Sequence, residues 1–177
     1  MTSRHRFERI YETHYDAVLR YCLRRTARED ALDAAADTFS VAWRRRDDMP
    51  ADEPLPWLYG VARRVLANQH RSARRRHGAT AYLQVVGGDP PEGPEPQVIR
   101  DQEAAQEVAA LERLQPADRE IIQLAGWEEL GRSAIATAMQ CTPNAVTKRL
   151  NRALDRLARE LGTRRSGGRF FRRQGVS

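Results

Sequence analysis

The sequence predicts an all-α protein: two small helical domains, a helical bundle and a helix-turn-helix, joined by a flexible acidic linker. Three observations carry that expectation. Apolar residues recur at i, i+3 and i+4 through most of the chain before residue 77 and after residue 106, the period of helices with one buried face. Between them lies GGDPPEGPEPQ (Gly87 to Gln97), whose four prolines and three glycines can continue neither helix nor strand. Charge also changes sign along the chain: residues 1–76 carry a net +5, residues 77–106 a net −4, residues 107–162 none, and residues 163–177 a net +5. The domains are therefore drawn at 1–77 and 106–162, with a linker at 78–105 and a basic, flexible tail at 163–177.

The first domain reads as three helices. FERIYETHYDAVLRYCLRR places Phe7, Ile10, Tyr11, Tyr15, Val18, Leu19 and Cys22 on one face. REDALDAAADTFSVAWRRR follows, rich in alanine, with Leu32, Ala35, Phe39 and Trp43 on one stripe. DDMPADEPLP holds three prolines and predicts a loop. WLYGVARRVLANQHRSARRR then sets Trp57, Val61 and Val65 at four-residue steps, so Trp57 is expected to pack inward; its arginines point elsewhere.

In the second domain a short helix spans about Glu107–Leu114, and a Pro-initiated helix follows in PADREIIQLAG. SAIATAM comes next, with Ser133 as its expected N-cap. A tight turn, QCT, leads into CTPNAVTKRLNRALDRL, where Thr142 is placed to cap and Pro143 to open the helix. Short helix, tight turn and longer capped helix make the helix-turn-helix pattern. On the last helix Val146, Leu150, Ala153, Leu154, Leu157 and Leu161 share one face; Asn144, Lys148, Asn151, Arg152 and Asp155 share the opposite one. The first face would hold the helix in its domain. The second could enter a major groove, where Arg and Lys bond guanine edges and Asn bonds adenine.

Composition narrows the function further. The chain has 177 residues and a formal net charge of +6, with a pI near 10. That balance favours a polyanionic partner, nucleic acid before membrane. Its two cysteines, Cys22 and Cys141, are far apart and the four histidines are scattered, so neither a metal site nor a disulfide framework is expected. There is no phosphate-binding loop, HExxH motif or acidic cluster for metal catalysis, so neither an enzyme nor a cofactor is expected. With no long apolar run and no signal peptide, a cytoplasmic location without stable membrane insertion is expected.

Four collinear motifs then resemble one family, the extracytoplasmic-function (ECF) sigma factors of the sigma-70 family. DALDAAADTF, PWLYGVARRVLANQHR, LERLQPADREIIQL and LGRSAIATAMQCTPNAVTKRLNRA resemble its D-A-E-D-L-V-Q-E-T-F, W-L-Y-x-I-A-R-N, L-x-x-L-P-x-x-x-R-E-V and helix-turn-helix signatures in order. Leu32 stands where the family commonly has Glu, Ala36 where it has Gln, and Gln140 where the turn has Gly. A non-glycine there would put Gln140 in a strained backbone state.

The resemblance implies that the first domain (region 2) binds the β′ clamp coiled coil of core RNA polymerase and opens the −10 element, while the second (region 4) binds the β flap and reads the −35 element. Its implied polymerase-binding face is Asp30, Asp33, Ala36, Asp37 and Thr38, with Phe39 and Trp43 packing inward. The loop Asp47–Pro56 would capture a flipped base, with Arg64 and Asn68 near the nontemplate strand and Arg71, Arg74 and Arg75 on phosphates. For the −35 element, Thr147, Lys148, Asn151 and Arg152 would face bases, and Asn144 and Arg149 phosphates. An anti-sigma factor of unknown identity is a further implied partner. A helix-turn-helix regulator acting without polymerase is the alternative.

Overall fold

The computed structural model describes residues 3–80 and 100–162. The chain divides into two compact units, Met1–Gly88 and Asp89–Ser177. The core of the expected linker, 81–99, and the tail at 163–177 lie outside the described residues. All regular structure among the described residues is helical: α1 (Ser3–Leu23), α2 (Arg28–Arg44), a 3-10 turn (Arg46–Asp48), α3 (Pro54–Thr80), α4 (Arg100–Arg113), α5 (Pro116–Gly126), α6 (Arg132–Met139) and α7 (Pro143–Glu160). Two helices run past their expected ends, α3 into the start of the predicted linker and α4 back into its end. Arg100 to Gln106 contains neither proline nor glycine, so nothing there stops a helix from starting early.

In the first unit, α1, α2 and α3 pack against one another as a three-helix bundle. Helix α2 contributes a smooth inner face: Ala31, Ala34, Ala35 and Ala42 are fully buried. Such short side chains let neighbouring helices approach closely. Val18 and Tyr21 from α1 and Leu58 and Val61 from α3 fill the space opposite. Burying each of the aliphatic side chains of Val18, Leu58 and Val61 stabilises the bundle by about 1.5–3 kcal/mol. Tyr21 stacks on Tyr59 at 4.9 Å between ring centroids, which ties α1 to α3.

Three aromatic and apolar positions depart from the expected inward packing. Leu32 and Trp43 are each 40% exposed and Tyr11 is 42% exposed. Along α2, steps of 100° put Leu32 and Trp43 at the rim of the buried sector whose centre is Thr38 and Ala42, so they border the core rather than enter it. Trp43 packs edge-on against Phe7 at 5.0 Å, and the Arg46 guanidinium lies over its outer face at 4.8 Å. Phe39 is buried as expected.

The loop between α2 and α3 is ordered by specific ties. Met49 is buried beneath it, and Arg6 of α1 donates to the carbonyls of Met49 and Pro50, both at 2.9 Å. Helix α3 begins at Pro54, three residues before the sequence pattern suggests, because a proline at the first turn gives up no helical hydrogen bond.

The second unit is organised around α7, which packs on α5, α6 and α4. Arg119 of α5 donates to the carbonyls of Leu111, Glu112 and Leu114 at 3.1, 2.6 and 3.5 Å. A cation is thus placed on the carbonyls at the α4 C-terminus, where the helix dipole favours it. Asp118, buried at the start of α5, pairs with Arg156 of α7.

The α6–α7 turn confirms one expectation and corrects another. Gln140 adopts the left-handed conformation, φ 54° and ψ 50°. The backbone closes as a Schellman motif, with Gln140 N–H donating to Thr137 O at 3.3 Å and Cys141 N–H to Ala136 O at 3.0 Å. Ser133 does not cap α6; Gly131 occupies that position, and Ser133 lies within the first turn. Thr142 caps α7 as expected, its hydroxyl accepting from Ala145 N–H at 3.2 Å, with Pro143 opening the helix. Glu129 is also left-handed, a feature the sequence pattern did not signal.

Gln140→Gly is therefore expected to raise the stability of the second unit by about 0.5–1 kcal/mol, because glycine carries no Cβ penalty at positive φ. A chemical denaturation midpoint checks this. A midpoint that fails to rise means that the Gln140 side chain contributes more than the strain costs.

Candidate nucleic-acid and polymerase interfaces

Helix α7 presents its polar residues as the sequence pattern requires. Val146, Ala153 and Leu157 are buried, with Leu150, Leu154 and Leu161 half-buried beside them. Asn144, Lys148, Arg149, Asn151 and Arg152 are exposed. Thr147 is half-buried, and its hydroxyl donates to the Pro143 carbonyl at 3.1 Å, so it lies at the edge of the polar face. The Arg152 guanidinium folds back along the helix, Nε donating to Lys148 O at 3.2 Å. Arg149 sits to one side of the face, and no described carboxylate pairs with it. Behind that face, among the described residues, Arg156 of α7 pairs with the buried Asp118, and Glu160 makes a more exposed pair with Arg113 at 3.5 Å.

In the first unit, Arg64, Asn68, Arg71 and Arg75 fall at i, i+4, i+7 and i+11 of α3, which places them on one stripe. Asn68, Arg71 and Arg75 are exposed and Arg64 is half-buried. Arg71 Nη2 donates to Asn68 Oδ1 at 2.5 Å, and Arg75 Nη2 to Ser72 Oγ at 3.2 Å. The Arg74 side chain lies outside the described residues. Burial first, and then the charges of Arg45 and Arg63, lower the Arg64 pKa from its ordinary value. Trp57 is half-buried, with the Arg45 guanidinium 6.0 Å from its ring centroid. It is thus neither a fully buried core residue nor a free wedge. Arg45 was not among the sequence candidates, because its position matters only once the chain turns at the end of α2.

The expected polymerase-binding face divides. Asp30, Asp33, Ala36 and Asp37 are exposed on α2. Thr38 is not: it is fully buried, and its hydroxyl donates to the Ala34 carbonyl at 2.6 Å. Thr38 lies between Ala34, Ala35 and Ala42 on the inner side of the helix, and its hydroxyl is satisfied by its own helix backbone. It can support the face without forming part of it. Beside the acids, Leu32 and Ala36 add a short apolar edge.

Among the described residues, no helix is long and apolar enough to cross a membrane. No group of His, Cys, Asp and Glu among them could hold a metal ion.

Comparisons with known proteins agree with the division into units. The family model for Sigma-70 region 2 matches residues 10–76, and that for Sigma-70, region 4, matches residues 106–157. The chain is 31% identical to RNA polymerase sigma factor NccH of Alcaligenes xylosoxydans xylosoxydans, over 72% of this chain and 71% of that one. It is also 31% identical to ECF RNA polymerase sigma factor SigL of Mycobacterium tuberculosis, over 88% of this chain and 90% of that one. A similar fold is found in the sigma factor RpoE, solved with the anti-sigma factor NepR from Bartonella quintana. The TM-score there is 0.64 at 21% identity, covering 90% of this chain and 98% of that one. The two region matches in order, on a three-helix bundle followed by a helix-turn-helix, place this chain in the sigma-70 family, among its ECF RNA polymerase sigma factors.

Proposed function

We propose that this chain is a promoter-specificity subunit of RNA polymerase with no chemistry of its own, acting in the cytoplasm. Residues 1–77 bind the β′ clamp coiled coil and open the −10 element. Residues 106–162 bind the β flap and read the −35 element, and 78–105 connect them. The single observation that carries this reading is α7: a capped helix whose buried Val146, Ala153 and Leu157 leave Asn144, Lys148, Asn151 and Arg152 exposed, inside the segment matching region 4. In vitro transcription with core polymerase and genomic DNA, with start sites mapped, tests it. Discrete starts that depend on both proteins support the reading. Specific promoter binding by the free chain with no effect on initiation would instead support a polymerase-independent regulator.

The −35 contacts are assigned to Thr147, Lys148, Asn151 and Arg152 on bases and to Asn144 and Arg149 on phosphates. The −10 contacts are assigned to Arg64 and Asn68 near the strand and to Arg71, Arg74 and Arg75 on phosphates. An anti-sigma factor is the expected regulator, since the similar RpoE was solved bound to one.

Polymerase docking is assigned to Asp30, Asp33, Ala36 and Asp37. Asp37 is exposed, so Asp37→Arg leaves the bundle core untouched while reversing a charge on that face. The expected result is a loss of affinity for core polymerase of roughly tenfold or more, as like charges are brought together at an interface. Titration of core enzyme with labelled protein measures it; equal affinities for mutant and wild type remove Asp37 from the interface.

A further inference from the structure

Three arginines converge where α2, the following loop and α3 meet. Arg45 is the C-cap of α2, and Arg63 and Arg64 lie on α3. Arg63 and Arg64 are half-buried, and neither has an ion-pair partner among the described residues. The Arg63 Nε is buried and has no hydrogen-bond partner. Arg45 and Arg63 lie close enough to Arg64 for their charges to add to burial in lowering its pKa. One carboxylate answers this charge: Asp48, in the 3-10 turn, accepts from Arg45 Nε at 3.0 Å and lies 3.0 Å from its Nη2. Both members of that pair are about half exposed or more, so it contributes little to stability and exchanges readily.

Two half-buried arginines, Arg63 and Arg64, beside the exposed Arg45, with an unsatisfied donor among them, cost folding free energy unless an anion offsets it. Asp48 offsets part of it. The loop bearing Asp48 is anchored through Met49 and Arg6, so the carboxylate is held at the cluster rather than meeting it by chance. Next to the cluster lies the half-buried ring of Trp57. Guanidinium groups beside an aromatic ring are the combination that single-stranded nucleic acid uses, phosphate on the cations and base against the ring. A free phosphate would use only the first of these, and duplex DNA keeps its base faces stacked.

We infer that Arg45, Arg63 and Arg64 form one anion site that Asp48 occupies in the free protein and that a backbone phosphate of single-stranded DNA takes in its place. The inference rests on the reading of the first unit as the −10 binder, and adds to it an intramolecular competitor. Asp48 acts as a placeholder: it keeps the cluster partly neutral and makes strand entry an exchange of anions. Asp47 is exposed and has no described ion pair, so it lacks this role although it is the adjacent acid.

The test uses the full-length chain and a fluorescein-labelled single-stranded 20-mer of mixed sequence, followed by anisotropy across a salt series. Asp48→Asn is expected to tighten binding by about three- to tenfold, and Asp47→Asn by less than about twofold. In the Arg45→Gln/Arg64→Gln background, Asp48→Asn should change little, and the salt slope should fall by one to two. Thermal midpoints within a few degrees of wild type exclude unfolding as the cause. Millimolar pyrophosphate should not abolish the Asp48→Asn gain; if it does, the site binds small phosphates and the strand assignment is wrong. Equal gains from both asparagine variants, or a gain that survives loss of the two arginines, would show only general electrostatics and overturn the site. The assay requires neither polymerase nor promoter. Its failure leaves −10 reading intact, and a failure to find promoter-specific starts leaves the anion site intact.

Discussion

Val146→Asp should unfold the second unit and abolish promoter-directed transcription while leaving the first unit folded. Val146 is fully buried on the inner face of α7, in the first turn of the helix. The apolar core of the second unit includes the buried Ile121, Ile122, Ile135, Ala153 and Leu157. An aspartate there has no partner; the described acid–base pair of that core, Asp118–Arg156, is already made. Burying an unpaired carboxylate costs about 3–5 kcal/mol, either as charge or as the work of protonating it. A unit of this size is stable by only about 3–9 kcal/mol at the general per-residue rate. The substitution therefore consumes most of the stability or all of it. Val146→Ala removes two methyl groups without adding a charge and should cost on the order of 2 kcal/mol.

Indole NMR signals separate the two units, since Trp127 lies in the second and Trp43 and Trp57 in the first. In Val146→Asp the Trp127 signal should collapse to the unfolded position while the other two hold. If all three stay dispersed and the denaturation midpoint is unchanged, the buried face of α7 does not hold the unit together.

Much of this architecture is legible in the sequence because helices declare themselves by period and by punctuation. The opening of α7 is the clearest case: Thr142 and Pro143 mark the start, and the Val146/Ala153/Leu157 spacing marks the buried side. Gln140 was readable too, since a turn of that shape demands a left-handed residue whatever occupies it. What the pattern could not resolve is the rim of each buried face. Leu32, Tyr11 and Trp43 fit the period but sit at its edge, and a period of 3.6 residues says nothing about how far the neighbouring helix reaches. Thr38 failed for the opposite reason. The family resemblance implied a place on the exposed face, yet a helix can absorb a threonine hydroxyl on its own backbone and bury the residue.

The contacts hardest to foresee join residues distant in sequence. Arg6 reaches the carbonyls of Met49 and Pro50, and Arg156 reaches Asp118 across the second unit. In a chain with this many arginines, composition cannot say which are structural. Arg119, Arg156 and Arg6 are bound to partners within the fold, whereas Arg149 and Lys148 are free of described ion pairs. That difference, visible only in three dimensions, separates cations that hold the protein together from those available to DNA.

On that basis the exposed cations of α7 should fall into two kinds. Lys148 lies near the centre of the polar face and Arg152 beside it, one turn on, while Arg149 points about 100° away. When the helix lies in a major groove, the centre of its face meets base edges and its flank meets the backbone. Lys148→Ala or Arg152→Ala should therefore cost about 1–3 kcal/mol at its cognate base pair and relax preference there. Arg152 must first release its bond to the Lys148 carbonyl, a small cost for an exposed contact, so its loss should fall toward the lower end of that range. Arg149→Ala should weaken binding to all −35 sequences about equally and reduce the salt slope by about one. None of the three should unfold the unit, since all are exposed. Promoter selection by each holoenzyme from a library randomised across the −35 element separates the outcomes. Should Lys148→Ala and Arg152→Ala both return the wild-type consensus with wild-type activity, α7 does not read bases. A shifted consensus for Arg149→Ala would move that residue from the backbone to the base-reading face, and would mean that the helix enters the groove rotated about its axis by about a quarter turn from the orientation its exposed residues suggest.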